Sequence, residues 1–351
     1  MSYTNGLDDP SAYFQTKIYT GDGNNNRAIT NDGNSDLQPD FIWLKDRNVG
    51  FGHRLTDSTR GITKNLASET TGAESTSTTQ YASWNTDGFT LIYGGQQVPN
   101  YNGHTYVAWQ WKANGGTTAS NSDGTITSTT QVNSDAGFSI ITYTGNASNS
   151  TVGHGLGVQP SVIINKKRSA TASWSVWHSA LLGTQLLELN TTGATATVAA
   201  IWNSTVPTSS VFSIGTDGQT NSNNTTYVTY AFAEKQGYSK FGKYVGNGNA
   251  NGSFVYTGFK PAWILFKKIN SAGTDWMLYD NKREPNNPVD QVLFPSLSNA
   301  ESGGDATDIL SNGFKQRSTG SSQNASGDTY IYMAFAENPF TTSTGIPTTA
   351  R

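Results

Sequence analysis

The sequence predicts an all-β protein, built as three tandem β-sandwich units of jelly-roll or lectin-like type with little helix. Three observations lead there. Charged residues make up 13% and aromatic ones 11%, with 37 glycines and 9 tryptophans; this is the profile of short strands joined by turns. The formal net charge is only −3, whereas disordered chains are aromatic-poor and strongly charged. Finally, several strings of sequence recur three times in the same order.

Taken along the chain, residues 1–12 form an N-terminal arm. The first unit, residues 13–113, opens on Lys17-Ile-Tyr-Thr-Gly-Asp-Gly23, a strand running into a turn. Gln38-Pro-Asp-Phe-Ile-Trp-Leu-Lys45 follows. Its proline starts a strand, where a missing N–H costs least, and the apolar run after it suits a strand buried on both faces. After Gly88-Phe89-Thr90-Leu91 the unit closes on Thr105-Tyr-Val-Ala-Trp-Gln-Trp-Lys-Ala113. There Val107, Trp109 and Trp111 fall two residues apart, the period of a half-buried strand. A short turn is expected at Asp57-Ser-Thr-Arg60.

Residues 114–133 are a polar linker and then an extra strand, Thr125 to Val132. The second unit, 134–235, repeats the landmarks: Ile141-Thr-Tyr-Thr-Gly-Asn146, Gln159-Pro-Ser-Val-Ile-Ile-Asn-Lys166, Val211-Phe-Ser-Ile214 and Thr226-Tyr-Val-Thr-Tyr-Ala-Phe-Ala-Glu234. The third, 236–340, has Tyr244-Val-Gly-Asn-Gly-Asn249, Lys260-Pro-Ala-Trp-Ile-Leu-Phe-Lys267, Gly313-Phe-Lys315 and Thr329-Tyr-Ile-Tyr-Met-Ala-Phe-Ala-Glu337. The best helix candidate, Trp177 to Gly183, is short. Units two and three join directly through Lys235-Gln-Gly-Tyr238 and are expected to be a rigid pair, with the first unit freer. Residues 341–351 are a C-terminal arm; such arms are mobile or dock on a neighbour.

Several classes fall away. No apolar run reaches 18 residues, so no membrane insertion is expected. The N-terminus lacks the basic and apolar regions of a signal peptide, so synthesis in a cytoplasm is expected. With 0 cysteines there can be no disulfide, thiolate nucleophile or cysteine-bound metal. The balanced charge leaves no footprint for nucleic acid.

No catalytic set emerges. His53, His104, His154 and His178 are isolated in sequence and read as solvated or structural. No Gly-x-Ser-x-Gly elbow occurs, and no acid repeats in all three units, which argues against a glycosidase pair. Gly21-Asp-Gly-Asn-Asn-Asn26 lacks the pattern of a calcium loop and reads as a turn. No metal site and no cofactor are expected. Lys166-Lys-Arg168, with Lys45-Asp-Arg47 and Lys267-Lys268, reads as solvated charge at strand ends. Most aromatics belong to the core. Trp84, Trp174 and Trp177 lie outside the repeated strings, near turns, and are the candidates to face out and stack on a ligand such as a sugar.

Three stretches carry a family resemblance: Gly137-Phe-Ser-Ile-Ile-Thr-Tyr-Thr-Gly145, Val152-Gly-His-Gly-Leu-Gly157 with Pro160, and Tyr330-Ile-Tyr-Met-Ala-Phe-Ala-Glu-Asn-Pro-Phe340. Through them the chain resembles the repeat proteins of tailed-bacteriophage virions, especially of marine phages, found in tail-fibre and other virion surface proteins. The resemblance covers Tyr13 to Arg351. It implies a non-enzymatic structural or adhesive role on the virion surface, with other virion proteins and a host receptor or glycan as partners. It also implies a homo-oligomer, expected as a trimer. The chain lacks a stalk of heptads or collagen-like repeats, which brings in the alternative of a capsid decoration or head-fibre protein. A polysaccharide depolymerase is the third reading.

Overall fold

Each of the three closing strings lies inside an antiparallel sheet. A computed structural model describes residues 6–93, 95 and 99–348, and the fold is all-β. In the first sheet the order is Phe14–Thr20, Thr105–Trp111, Phe41–Asp46, Arg54–Asp57. The second contains the same order as Phe138–Thr144, Thr226–Phe232, Val162–Lys167, Ser175–His178, extended at both edges to eight strands. The third runs Ser239–Val245, Thr329–Pro339, Phe259–Lys268, Met277–Asp280. Smaller sheets accompany each one, built on Arg27–Ile29 with Phe89–Leu91, Ser150–Gly153 with Val211–Ile214, and Phe254–Tyr256 with Gly313–Gln316. The three sheets with their companions are called units one, two and three below.

The proline-led strands are buried on both faces, as expected. In unit three the proline falls inside the strand, and the register shifts on both sides of Pro261, because proline cannot donate to the ladder. The extra strand after the linker is Ser128–Asn133, paired with Phe138–Thr144. The helix expected at Trp177 to Gly183 is instead the strand Ser175–His178 followed by a turn. Its apolar residues serve a sheet buried on both sides. The one α-helical turn among the described residues is Gly218–Asn221, capped by the Asp217 side chain, a standard N-cap arrangement.

The closing strands are buried on both faces rather than half-buried. Alternate residues enter two different cores. On one face, Tyr106 and Ala108 join Ile29, Ile42 and Phe89 inside unit one, while Tyr330, Tyr332 and Ala334 join Val255, Phe266 and Phe314 inside unit three. On the other face Val107, Trp109 and Trp111 meet Tyr230 and Phe232 from unit two and Met333 and Phe335 from unit three. This shared core also takes in Phe41 and Trp263. Phe41 stacks on Tyr230 at 4.3 Å, and Trp111 lies 5.5 Å from Phe335 and 5.7 Å from Trp263 between ring centroids. The packing leaves a central gap of only ≈ 10 Å³.

Around that core the units touch in cyclic order, one to two, two to three, three to one. Three contacts recur at every seam. A backbone N–H crosses from Glu74 to the Arg168 carbonyl (2.8 Å), from Thr195 to Ile269 (3.0 Å) and from Glu301 to Arg47 (2.7 Å). A ring N–H reaches back at a second position: Trp174 Nε1 to the Ala67 carbonyl (2.9 Å), Trp276 Nε1 to Glu188 (2.9 Å) and His53 Nε2 to Phe294 (3.0 Å). A third position meets the next closing strand. There Asp57 accepts from the Tyr230 hydroxyl (2.8 Å), His178 Nε2 donates to the Tyr332 carbonyl (3.2 Å), and Asp280 accepts from Trp109 Nε1 (3.0 Å).

Two seams are charged. Arg60 and Arg168 share Glu74, and Arg283 and Arg47 share Glu301, all at 2.8–2.9 Å. Asp57 and Asp280 complete the sets by pairing with Arg60 and Arg283, all four side chains being fully buried. At the remaining seam the matching positions are Leu181, Thr195 and Ile269. The ring therefore closes through charge twice and through apolar packing once.

The linker does not free unit one. Asp40 accepts hydrogen bonds from the N–H groups of Ala113, Gly115 and Gly116 at 2.7–2.9 Å, and the shared core binds unit one to both others. The described part of the arms docks on the chain itself. Leu7 N donates to the Gln236 carbonyl, and Asp8 accepts from the N–H and hydroxyl of Ser343.

One turn repeats in all three units at the end of the first strand. Stacked tyrosines precede it, Tyr19 on Tyr106, Tyr143 on Tyr227 and Tyr244 on Tyr330, with centroids 5.0–5.1 Å apart. Buried Asn100, Asn221 and Asn324 then clamp the turn by accepting from the N–H of Asp22, Asn146 and Asn247. Gly21, Gly145 and Gly246 open the turn where a Cβ would come within 2.0–2.4 Å of a carbonyl oxygen, so only glycine fits.

Candidate functional site

The histidines are mostly structural. Trp43 Nε1 donates to His53 Nδ1 at 2.8 Å, which assigns the proton to Nε2 at the seam. His178 accepts from Ala180 N and donates to the Tyr332 carbonyl; His154 accepts from Leu156 N and has its Nε2 on the Thr208 carbonyl. Burial pushes His53 down to about 3 and His178 to about 4, and lowers His154. His104 alone meets a carboxylate, Asp46, at 2.7 Å, a contact hidden by their 58-residue separation. No serine, threonine or cysteine is hydrogen-bonded to this imidazole among the described residues, so the pair lacks a nucleophile.

An acid-side stability profile follows. A histidine that is neutral when folded but titrates near 6.5 when unfolded makes the unfolded chain bind more protons below that pH. The stability is therefore full above pH 6.5 and falls as pH drops toward the folded values. Burial works against the charge of Glu74 and Glu301, yet their arginine partners hold both carboxyls below the ordinary value. Their contribution has the same sign and is lost below about pH 4.5. The expected loss by pH 4 is at most on the order of 3 kcal/mol for each of His53 and His178. Thermal melts at pH 7, 5.5 and 4.5 check this; a flat midpoint over that range contradicts the buried neutral imidazoles.

The first lysine of each basic strand end is not solvated, while Arg47, Lys167 and Arg168 stay partly exposed. Lys45, Lys166 and Lys267 are completely buried at equivalent positions. Their ammonium groups donate to backbone carbonyls: Lys45 to Asp46 and Val49, Lys166 to Thr71 and Ala172, and Lys267 to Thr274. Burial pulls each down to about 8. A long aliphatic stem can thread an apolar layer while its head satisfies carbonyls, which the sequence pattern does not reveal.

Two of the three tryptophan candidates are likewise buried. Trp174 is 0% and Trp177 2% exposed; Trp174 is a seam donor, and neither can stack on an external ligand. The turn at Trp174 faces the neighbouring unit, whereas Trp177 alternates with the seam residue His178 and points into its own unit, at the position of Tyr279 in unit three. Trp84 is half-buried at a strand end and stacks on Tyr81 at 6.1 Å. The Asp22 carboxylate of the calcium-like loop accepts from Asn24 N and Asn100 Nδ2. Among the described residues no group of three or more His, Cys, Asp or Glu could hold a metal ion.

Two surface clefts remain. One, of ≈ 190 Å³, lies between units one and three and contains Asp32 and Glu337. Both acids are paired, Asp32 with Lys17 and Lys282, and Glu337 with Lys260. Despite partial burial, the lysines hold Asp32 below its ordinary value, the opposite of what a general acid needs.

The other cleft, of ≈ 470 Å³, lies beside the junction of units two and three. Its lining includes Glu234, Lys240, Tyr256, Phe340 and Thr341. Tyr256 is 60% and Phe340 36% exposed. Tyr256 continues onto an open strand face, since Phe254, two residues earlier, is 48% exposed while Val255 between them is buried. Lys315 lies across from Phe254 and donates to the Asn251 amide oxygen.

The repeats provide an internal control for this surface. Val255 matches Ile29 and Val152, each paired with the phenylalanine of its unit. Phe254 therefore stands where units one and two have Ala28 and Thr151, and Tyr256 where they have Thr30 and Gly153. Exposed Val245 likewise matches Thr20 and Thr144. Aligning the repeats strand by strand would have found this substitution, since all three positions carry large apolar residues in unit three alone.

A family model described as a domain of unknown function (DUF7483) matches residues 9–339. The chain belongs to the DUF7483 family. The matched span of this DUF7483 protein includes the three sheets, all three seams and the Phe254–Tyr256 surface. Comparison with curated proteins and with solved structures gives no match.

Proposed function

We propose that this DUF7483 protein is a non-enzymatic component of a bacteriophage virion surface, a tail fibre or tail-associated adhesin that holds a host receptor or glycan. One observation carries the reading. The buried charges serve seams and turns, whereas three exposed aromatic rings, Phe254, Tyr256 and Phe340, lie with exposed Val245 in the third unit and its end; unit one exposes the single ring of Tyr93, and the exposed Val158, Leu182 and Val206 of unit two are aliphatic. Grouped exposed aromatics mark binding surfaces. The virion setting rests on the resemblance of the stretches at 137–145, 152–160 and 330–340, and other virion proteins are then its partners. In a homotrimer, weak contacts at one surface per chain add through effective concentration.

Labelled protein is expected to adsorb to host cells and to slow adsorption of the phage that carries it. Protein that binds no cells, even as its natural oligomer, sinks the adhesin reading. Many copies found on the capsid rather than the tail move it to a decoration protein.

A further inference from the structure

We propose that the face of Phe254 and Tyr256, with the adjoining cleft, binds a neutral oligosaccharide of at least two rings. This rests on the adhesin reading and names its ligand. Phe254 and Tyr256 project from the same side of one strand, about 7 Å apart along it, the scale of one sugar ring and its glycosidic link. Exposed aromatic faces offer a flat apolar surface to the C–H face of a pyranose, and the polar edge of such a ring still needs hydrogen-bonding groups around it.

The surroundings supply them. Asn247, Asn249 and Asn251 form the exposed turn beside Phe254, and Asn251 is already oriented by Lys315. On the other side Tyr256 leads into the cleft, where Thr341 and Thr342 carry hydroxyls and Phe340 presents a second ring. The cleft volume is within the usual range for a small-ligand site. Its Glu234–Lys240 pair is closed at 2.8 Å, and Glu234 also accepts from Phe241 N; nearby Lys260 is paired with Glu337 at 2.6 Å. Those two pairs are closed internally, whereas Lys235 of the cleft and Lys315 beside Phe254 form no ion pair among the described residues; the uncharged ligand therefore rests on the exposed rings and the amide and hydroxyl groups beside them. At these matched strand positions unit three alone carries aromatic rings, which gives one such site per chain. Units one and two keep Ala28, Thr30, Thr151 and Gly153, which offer no ring to stack on.

The test uses the full chain on a microbial glycan array and in host-cell adsorption, with F254A/Y256A beside the wild type and Y93A as an exposed-aromatic control. Both altered rings are exposed, so melting temperature should change little and confirms that the variant is folded. The expected result is wild-type binding to neutral hexose-containing glycans. F254A/Y256A should weaken it roughly tenfold or more and Y93A should leave it unchanged. Binding to neutral glycans that survives F254A/Y256A overturns the site, and binding confined to acidic glycans overturns the ligand class. No array binding, with cell adsorption that F254A/Y256A abolishes, overturns the sugar and leaves the adhesin reading standing. Absence of both array binding and adsorption removes both.

Discussion

Replacing Trp111 by alanine is expected to cost about 3–5 kcal/mol, the range for deleting a large buried aromatic. Trp111 is 1% exposed and lies 4.9 Å from Phe14 and 5.2 Å from Phe41 on its own sheet. It also meets Phe232, Trp263 and Phe335 from the other two units. Its Nε1 has no hydrogen-bond partner, so the loss is one of packing alone. The cavity would open where three sheets converge, and none of them can collapse into it without dragging its own sandwich. Half-buried Trp84, on a strand edge, should tolerate the same change with a loss of about 1 kcal/mol or less. Urea unfolding of both variants tests the contrast; equal losses would mean that the shared core is not the centre of stability.

Changing Arg60 to leucine is expected to be as damaging, about 3–5 kcal/mol, because it strands fully buried Asp57 without its cation and leaves half-buried Glu74 with Arg168 alone. Arg60 pairs with both acids and also donates to the Leu55 carbonyl and the Tyr230 hydroxyl. The apolar seam predicts how the damage is repaired. Its residues at the four matching positions are His178, Leu181, Thr195 and Ile269. The combined variant D57H/R60L/E74T/R168I writes that solution into the first seam. It should regain most of what Arg60→Leu alone loses, since replacing a whole buried ionic set with uncharged groups that already fit the equivalent seam can be close to neutral. Denaturation midpoints for the single and combined variants decide this. A combined variant less stable than Arg60→Leu would show that the two kinds of seam are not interchangeable.

The strands were readable from sequence because their signals are local. Pro39 and Pro160 mark strand starts, and the alternation Val107, Trp109, Trp111 gives the strand directly. What alternation cannot say is where each face goes. The Trp109 face was expected to fill one sandwich, and instead it meets two other units, a relation between residues more than 100 positions apart. The same blindness hid the burial of Trp174, which faces a neighbour across a seam, of Trp177, which turns into its own unit, and of Lys45, Lys166 and Lys267. The expected freedom of the first unit failed for a related reason. A polar linker predicts flexibility only when nothing else joins the bodies it connects, and the shared core joins them here, with Gln131 of the extra strand bonded to Ser58 and Thr59 of unit one. The asparagine clamps were within reach, since Asn100, Asn221 and Asn324 each stand six residues before the stacked tyrosine. The exposed aromatic face was visible only as a departure from repetition, in Phe254 and Tyr256.

The meeting of Asp8 with Ser343 has a mechanical consequence. Anything joined to the chain at those two points leaves from neighbouring spots, so the protein adds almost no reach between its attachments. Tension applied through them first meets the exposed hydrogen bonds from Ser343 to Asp8, which are weak restraints in water. Beyond the bonds that hold Asp9 and Ser11 to Ser35 lies the outer strand Phe14–Thr20, at the rim of its sheet, which would peel from one neighbour bond by bond. The rest of the ring can stay folded while that strand gives way. Under such a load the rim would stretch before the Phe254–Tyr256 face is disturbed.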